Sequence, residues 1–242
     1  MSIFRTIAMF LYLFGYMIVH YGTLRRGERA LAAGDTETVE RLVDRHIPRW
    51  SRGILKVTGV TLTVEGLENI PKEGPCVFVG NHRSYYDIPL LLASLDKPHG
   101  ILAKEELEKI PLLNRWMKLL GCVFVQRDDL RASVRALNDA TAIVESGRSF
   151  VIFPEGTREK DGKLLPPKSG LFVIAAGAGV DVVPCRILYD TPDGKMHLFC
   201  KVRVIYGEPM PAEQFAMESR RDTKKLRANK QALLDAWEKM GA

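Results

Sequence analysis

Three short apolar runs, each broken off by a polar cluster, constrain this chain more than any other feature. Cys76–Val79 leads into Gly80-Asn81-His82-Arg83-Ser84-Tyr85-Tyr86-Asp87, Cys122–Val125 into Gln126-Arg127, and Phe150–Phe153 into Pro154-Glu155-Gly156-Thr157-Arg158. Runs of four apolar residues without polar alternation suit strands buried on both faces, and such strands occur in sheets covered by helices. Helical stretches separate them: Ile88 to Leu95, about Leu112 to Leu120, Asp128 to Ser146 and Leu171 to Ala178. In the third of these, Leu130, Val134, Leu137 and Val144 are expected to point inward. Further strands are expected at Val60 to Val64, Ile101 to Ala103, Val182 to Leu188 and Met196 to Tyr206, the last two joined through a Pro192-Asp193-Gly194 turn. The expected fold is α/β, a mixed β-sheet flanked by helices, closed by a basic C-terminal helical segment from about Ala212.

The length of 242 residues suits one such domain with a sizeable core. With 46% hydrophobic and 26% charged residues, the chain is neither disordered nor a polytopic membrane protein. Cys76, Cys122, Cys185 and Cys200 form no C-x-x-C pair and each sits in an apolar run, so buried reduced thiols in a reducing compartment are expected. No metal site is expected.

The first 59 residues have a different character. Ile7 to Val19 is an unbroken apolar run whose helix would reach about 20 Å, short of the roughly 30 Å hydrocarbon core. Ala30-x-Ala32 resembles a signal cleavage site, but Arg25, Arg26 and Arg29 separate it from the apolar run. A monotopic or barely spanning helix is the expectation. Asp35 or Thr36 can cap a second helix running towards Lys56, in which Arg41, Arg45, Arg49, Arg52 and Lys56 fall within an arc of about 80°. Val39, Leu42, Val43, Ile47, Trp50 and Ile54 occupy the adjoining arc. A basic stripe beside an apolar face suits an anionic bilayer, and it equally suits a surface helix packed on the core. The net charge of +6 brings no recognised nucleic-acid motif with it.

In open α/β sheets, ligands gather beyond the carboxyl ends of strands, where all three polar clusters fall. If His82 lies in the turn and Asp87 in the first turn of the following helix, the imidazole can fold back to the carboxylate. That contact fixes the tautomer and leaves the other ring nitrogen as a general base. G-x-S-x-G is absent, so such a dyad would activate an incoming hydroxyl and not a protein nucleophile. Arg127, Arg158 and Lys168 offer cations suited to phosphate, and Gly156 permits close backbone approach.

These blocks resemble those of the 1-acyl-sn-glycerol-3-phosphate (lysophosphatidic acid) acyltransferase family. Asn81-His82-Arg83-Ser84-Tyr85-Tyr86-Asp87 is similar to its N-H-x-S-x-x-D block and Phe124-Val125-Gln126-Arg127 to its second. Phe153-Pro154-Glu155-Gly156-Thr157-Arg158 is similar to the third and Val182-Val183-Pro184 to the fourth, all in family order. Glu159 stands where Ser is common, and Pro167-Lys168-Ser169-Gly170 replaces the usual Phe-Lys-(Lys/Arg)-Gly.

The resemblance extends over about residues 60–210 and implies a glycerolipid acyltransferase-like domain, expected over residues 60–242 behind the N-terminal membrane-attachment segment that the apolar run suggests, residues 1–59. It implies acyl transfer from acyl-CoA or acyl-carrier protein to the free hydroxyl of 1-acyl-sn-glycerol-3-phosphate, giving phosphatidic acid. His82 would be the base and Asp87 its orienter, with Arg127, Glu155, Gly156, Thr157, Arg158 and Lys168 holding the glycerol phosphate. No organic cofactor, metal or nucleic acid is implied; the partners are the lipid acceptor and the acyl donor, at the cytoplasmic face of a membrane. Two other readings predict different behaviour: a same-family enzyme acting on another lyso-lipid, such as a lyso-ornithine lipid, and a non-catalytic membrane-surface protein.

Overall fold

Along the central strands the side chains divide by parity between two cores, and that division explains why the runs carry no polar alternation. A computed structural model describes residues 3–95, 99–126, 128–158, 163–191, 196–215 and 223–241. Seven strands form one sheet: β1 (Thr61–Glu65), β2 (Val77–Gly80), β3 (His99–Lys104), β4 (Val123–Val125), β5 (Ser149–Ile152), β6 (Val182–Asp190) and β7 (Lys201–Tyr206). Their order is β1-β7-β6-β2-β5-β3-β4, with β6 and β7 antiparallel and every other neighbouring pair parallel. The sheet is mixed, as expected.

Phe78, Ile101, Val151, Val183, Cys185 and Ile187 face one core. That core is closed by α1 (Ile3–Val19), α2 (Tyr21–Ala32), α3 (Thr36–Thr58), α4 (Asp87–Ser94) and α5 (Leu113–Leu120). Val77, Val79, Phe150, Ile152 and Val182 face the other, under α6 (Leu130–Glu145), α7 (Gly170–Ala178), α8 (Ala212–Phe215) and α9 (Thr223–Met240). Each fully buried side chain of this size contributes about 1.5–3 kcal/mol. Trp237 of α9 also donates its indole N–H to the Val79 carbonyl at 3.3 Å, tying the last helix to the central strand.

Local signals explain the helix ends. Asp35 caps α3 by accepting from the Thr38 amide at 3.0 Å, and Gly59 closes it at φ 72°, a left-handed conformation that glycine adopts without strain. Asp129 caps α6 by accepting from the amides of Arg131 and Ala132.

Two expectations need correction. Leu130 is 80% exposed and Val134 37%, not inward. The buried arc of α6 is Ala136, Ala140 and Val144. At about 100° per residue Leu130 lies roughly 80° and Val134 roughly 120° from Ala140, outside that arc. The last strand begins at Lys201 and not at Met196, because Phe199 has φ 60°, which extended backbone cannot accommodate. The Pro192-Asp193-Gly194 turn lies outside the described residues.

The apolar arc of α3 faces protein. Val39, Val43 and Ile54 are buried in the first core, while Arg41, Arg45, Arg49, Arg52 and Lys56 are exposed. Of the two readings of this helix, the packed one describes it. α1 behaves otherwise: Met17 is buried, and Phe4, Ile7, Phe10, Leu11, Ile18 and Val19 are exposed. Among the described residues no single helix is long and apolar enough to cross a membrane, although α1 and α2, bent by 58° where they meet, pass that test as a pair by length and composition.

Candidate active site

Parallel pairing of β2 with β5 brings the first and third polar clusters together. Val79 is in register with Ile152, so the chain leaves both strands side by side at the same edge of the sheet. The turn after β2 and the start of α4 carry His82 and Asp87, whose Nδ1 and Oδ2 are 2.7 Å apart.

The Asp87 carboxylate is fully buried and surrounded by donors. Its Oδ2 also accepts the amides of Arg83 at 2.7 Å and Ser84 at 2.8 Å, and its Oδ1 accepts the Tyr189 hydroxyl at 2.5 Å. Burial and the neighbouring Asp87 charge push the Tyr189 phenol well above its ordinary value, which keeps it a neutral donor. With three other donors on the carboxylate, the hydrogen-bond pattern assigns the proton on the fourth contact to His82 Nδ1. Nε2 is then the basic nitrogen. The ring stacks on Phe153 at 4.5 Å between centroids, and its backbone N–H donates to Glu155 Oε2 at 3.2 Å. Asn81, the residue before His82, is itself fixed: its side chain donates to the Ile187 carbonyl at 3.2 Å and accepts the Ile187 amide at 2.7 Å, tying the chain just past β2 to β6.

The cations lie on the exposed side. Arg158 lays its guanidinium 3.8 Å above the Tyr85 ring and donates to the Tyr85 hydroxyl at 3.1 Å. Tyr85 belongs to the loop between His82 and Asp87, so the arginine of the third cluster rests on the loop that carries the dyad. Lys168 donates its amide to the Pro154 carbonyl at 2.9 Å, and its side chain crosses Gly156. Gly156 has φ 71°, and a Cβ there would sit 2.7 Å from Lys168 Nζ. The left-handed backbone explains the glycine, since the lysine end could swing aside from a Cβ. Thr157 is exposed beside them.

The Glu155 carboxylate is buried and accepts from the His82 amide, bracing the base across the two strands. Arg127 lies outside the described residues; Val125, which precedes it by two, ends β4 at the edge of the sheet, with β3 and β5 between β4 and β2.

Sequence reading missed three participants: Asn81, Tyr85 and Tyr189. Asn81 and Tyr85 were inside a recognised block, and their roles depend on which strand and which arginine come alongside. Tyr189 shares the parity of Val183, Cys185 and Ile187 on one face of β6, a signal present in the sequence. Which group it would meet on that face was not.

Helix α1 reaches this site. The Tyr86 hydroxyl, one residue before Asp87, donates to the Met9 sulfur at 2.9 Å. Met9 lies on the packed side of α1, so this contact ties that helix to the residue before Asp87.

A family profile described as Acyltransferase matches residues 61–188. A chloroplastic 1-acyl-sn-glycerol-3-phosphate acyltransferase from Brassica napus is 43% identical over 126 residues, 52% of this chain and 36% of that protein. A 1-acyl-sn-glycerol-3-phosphate acyltransferase from Borreliella burgdorferi is 35% identical over 137 residues, 57% of this chain and 54% of that one. The matched regions thus span about a third to a half of these curated relatives. The crystal structure of the 1-acyl-sn-glycerophosphate (LPA) acyltransferase PlsC from Thermotoga maritima superposes with a TM-score of 0.74 at 30% identity, covering 100% of this chain and 98% of that one.

Proposed function

This chain belongs to the acyltransferase family, and from that premise we propose that it acylates the free hydroxyl of 1-acyl-sn-glycerol-3-phosphate to give phosphatidic acid. The observation that carries the reading is the 2.7 Å contact of His82 Nδ1 with the buried Asp87, which leaves Nε2 to accept a proton. The names of the similar proteins support the acceptor.

The donor is a fatty acyl thioester, acyl-CoA or acyl-carrier protein. His82 Nε2 takes the proton of the acceptor hydroxyl as its oxygen attacks the thioester carbonyl carbon. The new C–O bond forms, the tetrahedral intermediate collapses, the C–S bond breaks, and the imidazolium returns the proton to the departing thiolate. Asp87 stabilises the imidazolium between those events, and Tyr189 holds Asp87. No protein nucleophile and no cofactor enters the scheme. Arg158 and Lys168 supply charge for the acceptor phosphate, with Arg127 a further candidate from the family pattern. Arginine at this position suits a phosphate because its planar fork matches the phosphate oxygens.

The acceptor and product are lipids, and α1, tied through Met9 to the residue before Asp87 and exposing Phe4, Ile7, Phe10 and Leu11 on its other side, supports a monotopic attachment at the bilayer surface. Four free, buried cysteines fit the reducing, cytoplasmic side.

Labelled acyl-CoA offered with a panel of lyso-lipids tests the reading. Lysophosphatidate is expected to be the preferred acceptor. Equal or better use of a phosphate-free acceptor, such as a lyso-ornithine lipid, would overturn it.

A further inference from the structure

A polar cleft opens at the elbow where α1 meets α2, apart from the His82 site, and the transfer reaction has no use for it. Its volume is about 360 Å³, and its polar lining is His20, Thr23, Arg26, Arg45 and His46, completed by the aliphatic Val19 and Leu42. No carboxylate lines it. His46 is 8% exposed, with the Tyr16 hydroxyl 3.2 Å from its Nδ1 and the His20 ring edge-on at 4.8 Å between centroids. The His20 ring stacks on Tyr16 at 4.1 Å, and its Nδ1 is buried without a hydrogen-bond partner. A buried polar atom left unpaired costs about 1–3 kcal/mol, so a site that keeps one calls for a ligand or a water.

We propose that this cleft binds the phosphate of an anionic phospholipid headgroup. Arg26 from α2 and Arg45 from α3 provide guanidinium forks, Thr23 a hydroxyl donor, and the His20–His46 pair ring nitrogens between them. A lipid, and not free phosphate, is the occupant because the apolar side of the cleft continues onto exposed hydrocarbon. Val19 lines it at 78% exposure, and about 80–100° further round α1 lie Ile18 at 62% and Leu11 at 69%, on the helix's exposed side. The headgroup would sit at the elbow with its acyl chains along α1.

The charges around the pair agree with an anion as the missing member. Burial holds His46 down at about 4, and His20, Arg45 and Arg49 add repulsion, with the uncharged Trp116 ring behind it. An arriving phosphate reverses that repulsion. The proposal goes beyond the acyl-transfer reading and does not rest on it, since the cleft shares no residue with the His82 site.

The test uses the full chain with labelled histidines, titrated with dihexanoyl phosphatidylglycerol below its micelle concentration and, separately, with inorganic phosphate. Saturable shifts of the His20 and His46 ring resonances with the lipid, absent or much weaker with phosphate, are expected. Equal shifts with inorganic phosphate would replace the lipid by a free anion, and no shifts would remove the site. The double variant R26A/R45A is compared with R41A/K56A, which removes the same charge from the exposed face of α3 outside the cleft. R26A/R45A should bind phosphatidylglycerol-containing vesicles at least about tenfold more weakly than R41A/K56A does, the step that about 1.4 kcal/mol makes. Equal losses would assign the attraction to diffuse basic charge and overturn the proposal. Acyl transfer to detergent-dispersed lysophosphatidate should be unchanged in R26A/R45A. A loss there would overturn the separation of the two sites, whereas inactivity of the unmutated chain would count against the acyl-transfer reading alone.

Discussion

His82 and Tyr189 differ in what they touch, and substitution should separate them. His82→Ala removes the proton acceptor, so turnover should fall by about 10²–10⁴-fold, with the circular dichroism spectrum unchanged. Retained turnover would disprove the base assignment. Tyr189→Phe deletes only the hydroxyl that Asp87 Oδ1 accepts. A hydrogen bond to a charged group is worth about 1.5–3 kcal/mol, so a kcat loss of about tenfold or more with unchanged KM is expected, because Tyr189 acts through Asp87 and touches no substrate. A rise in KM alone would show that Tyr189 meets the acceptor directly. Arg158 and Glu155, neighbours in one cluster, should also part. Arg158→Ala should raise the KM for the phosphate-bearing acceptor about tenfold or more, as the loss of one charge-assisted contact implies. Glu155→Gln keeps an acceptor for the His82 amide and should leave that KM within about twofold, a change too small to represent a lost substrate contact. A selective loss of acyl-CoA affinity in the first variant would move Arg158 to the donor side.

At the scale of elements, α1 and α3 exchange the roles their compositions suggest. α3 has the amphipathic pattern of a surface-seeking helix, yet its apolar arc is consumed by contacts with α1, α2 and α4. α1 has no polar face to speak of, and one side packs through Met9, Leu13 and Met17 while the other stays exposed. Attachment to a membrane is therefore best tested on α1. Deleting residues 1–34 would also strip Met17, Leu24 and Ala30 from the core. The double substitution Leu11→Glu with Ile18→Glu changes exposed positions only. It should reduce co-sedimentation with vesicles by about tenfold or more, since each buried aliphatic side chain contributes about 1.5–3 kcal/mol, and leave thermal stability unchanged. Undiminished sedimentation would shift attachment to another surface.

Whole-molecule stability should respond to pH through His46. Its folded value is pushed down to about 4 from 6.5 by burial, so between those limits the unfolded chain binds the extra proton. The contribution is present in full above pH 6.5 and is lost as the pH falls towards 4. Thermal denaturation should accordingly show a Tm lower by about 2–4 °C for each 1 kcal/mol lost over that window, and His46→Asn should flatten this part of the profile. A profile identical in the two proteins would assign the acid sensitivity elsewhere.

The sequence alone determined the kind of sheet, because four-residue apolar runs bounded by polar clusters have few other folds open to them. It also marked His82 and Asp87 as a pair through the resemblance of their block, while their meeting at 2.7 Å depended on the turn after β2 folding the imidazole back to the carboxylate. The strand order was decided by the tertiary structure: β1 beside β7 and β2 beside β5 join segments about 140 and 70 residues apart, and no local periodicity records such pairing. With the order came the partners. Tyr189 meets Asp87, Glu155 turns inward to the His82 amide, and Arg158 comes to rest on Tyr85. The face of α6 followed the same logic, since Leu130 and Val134 lie outside the inward arc, which Ala136, Ala140 and Val144 occupy. Local chemistry fixes what a residue can do; which neighbour it does it with depends on contacts distant in the chain.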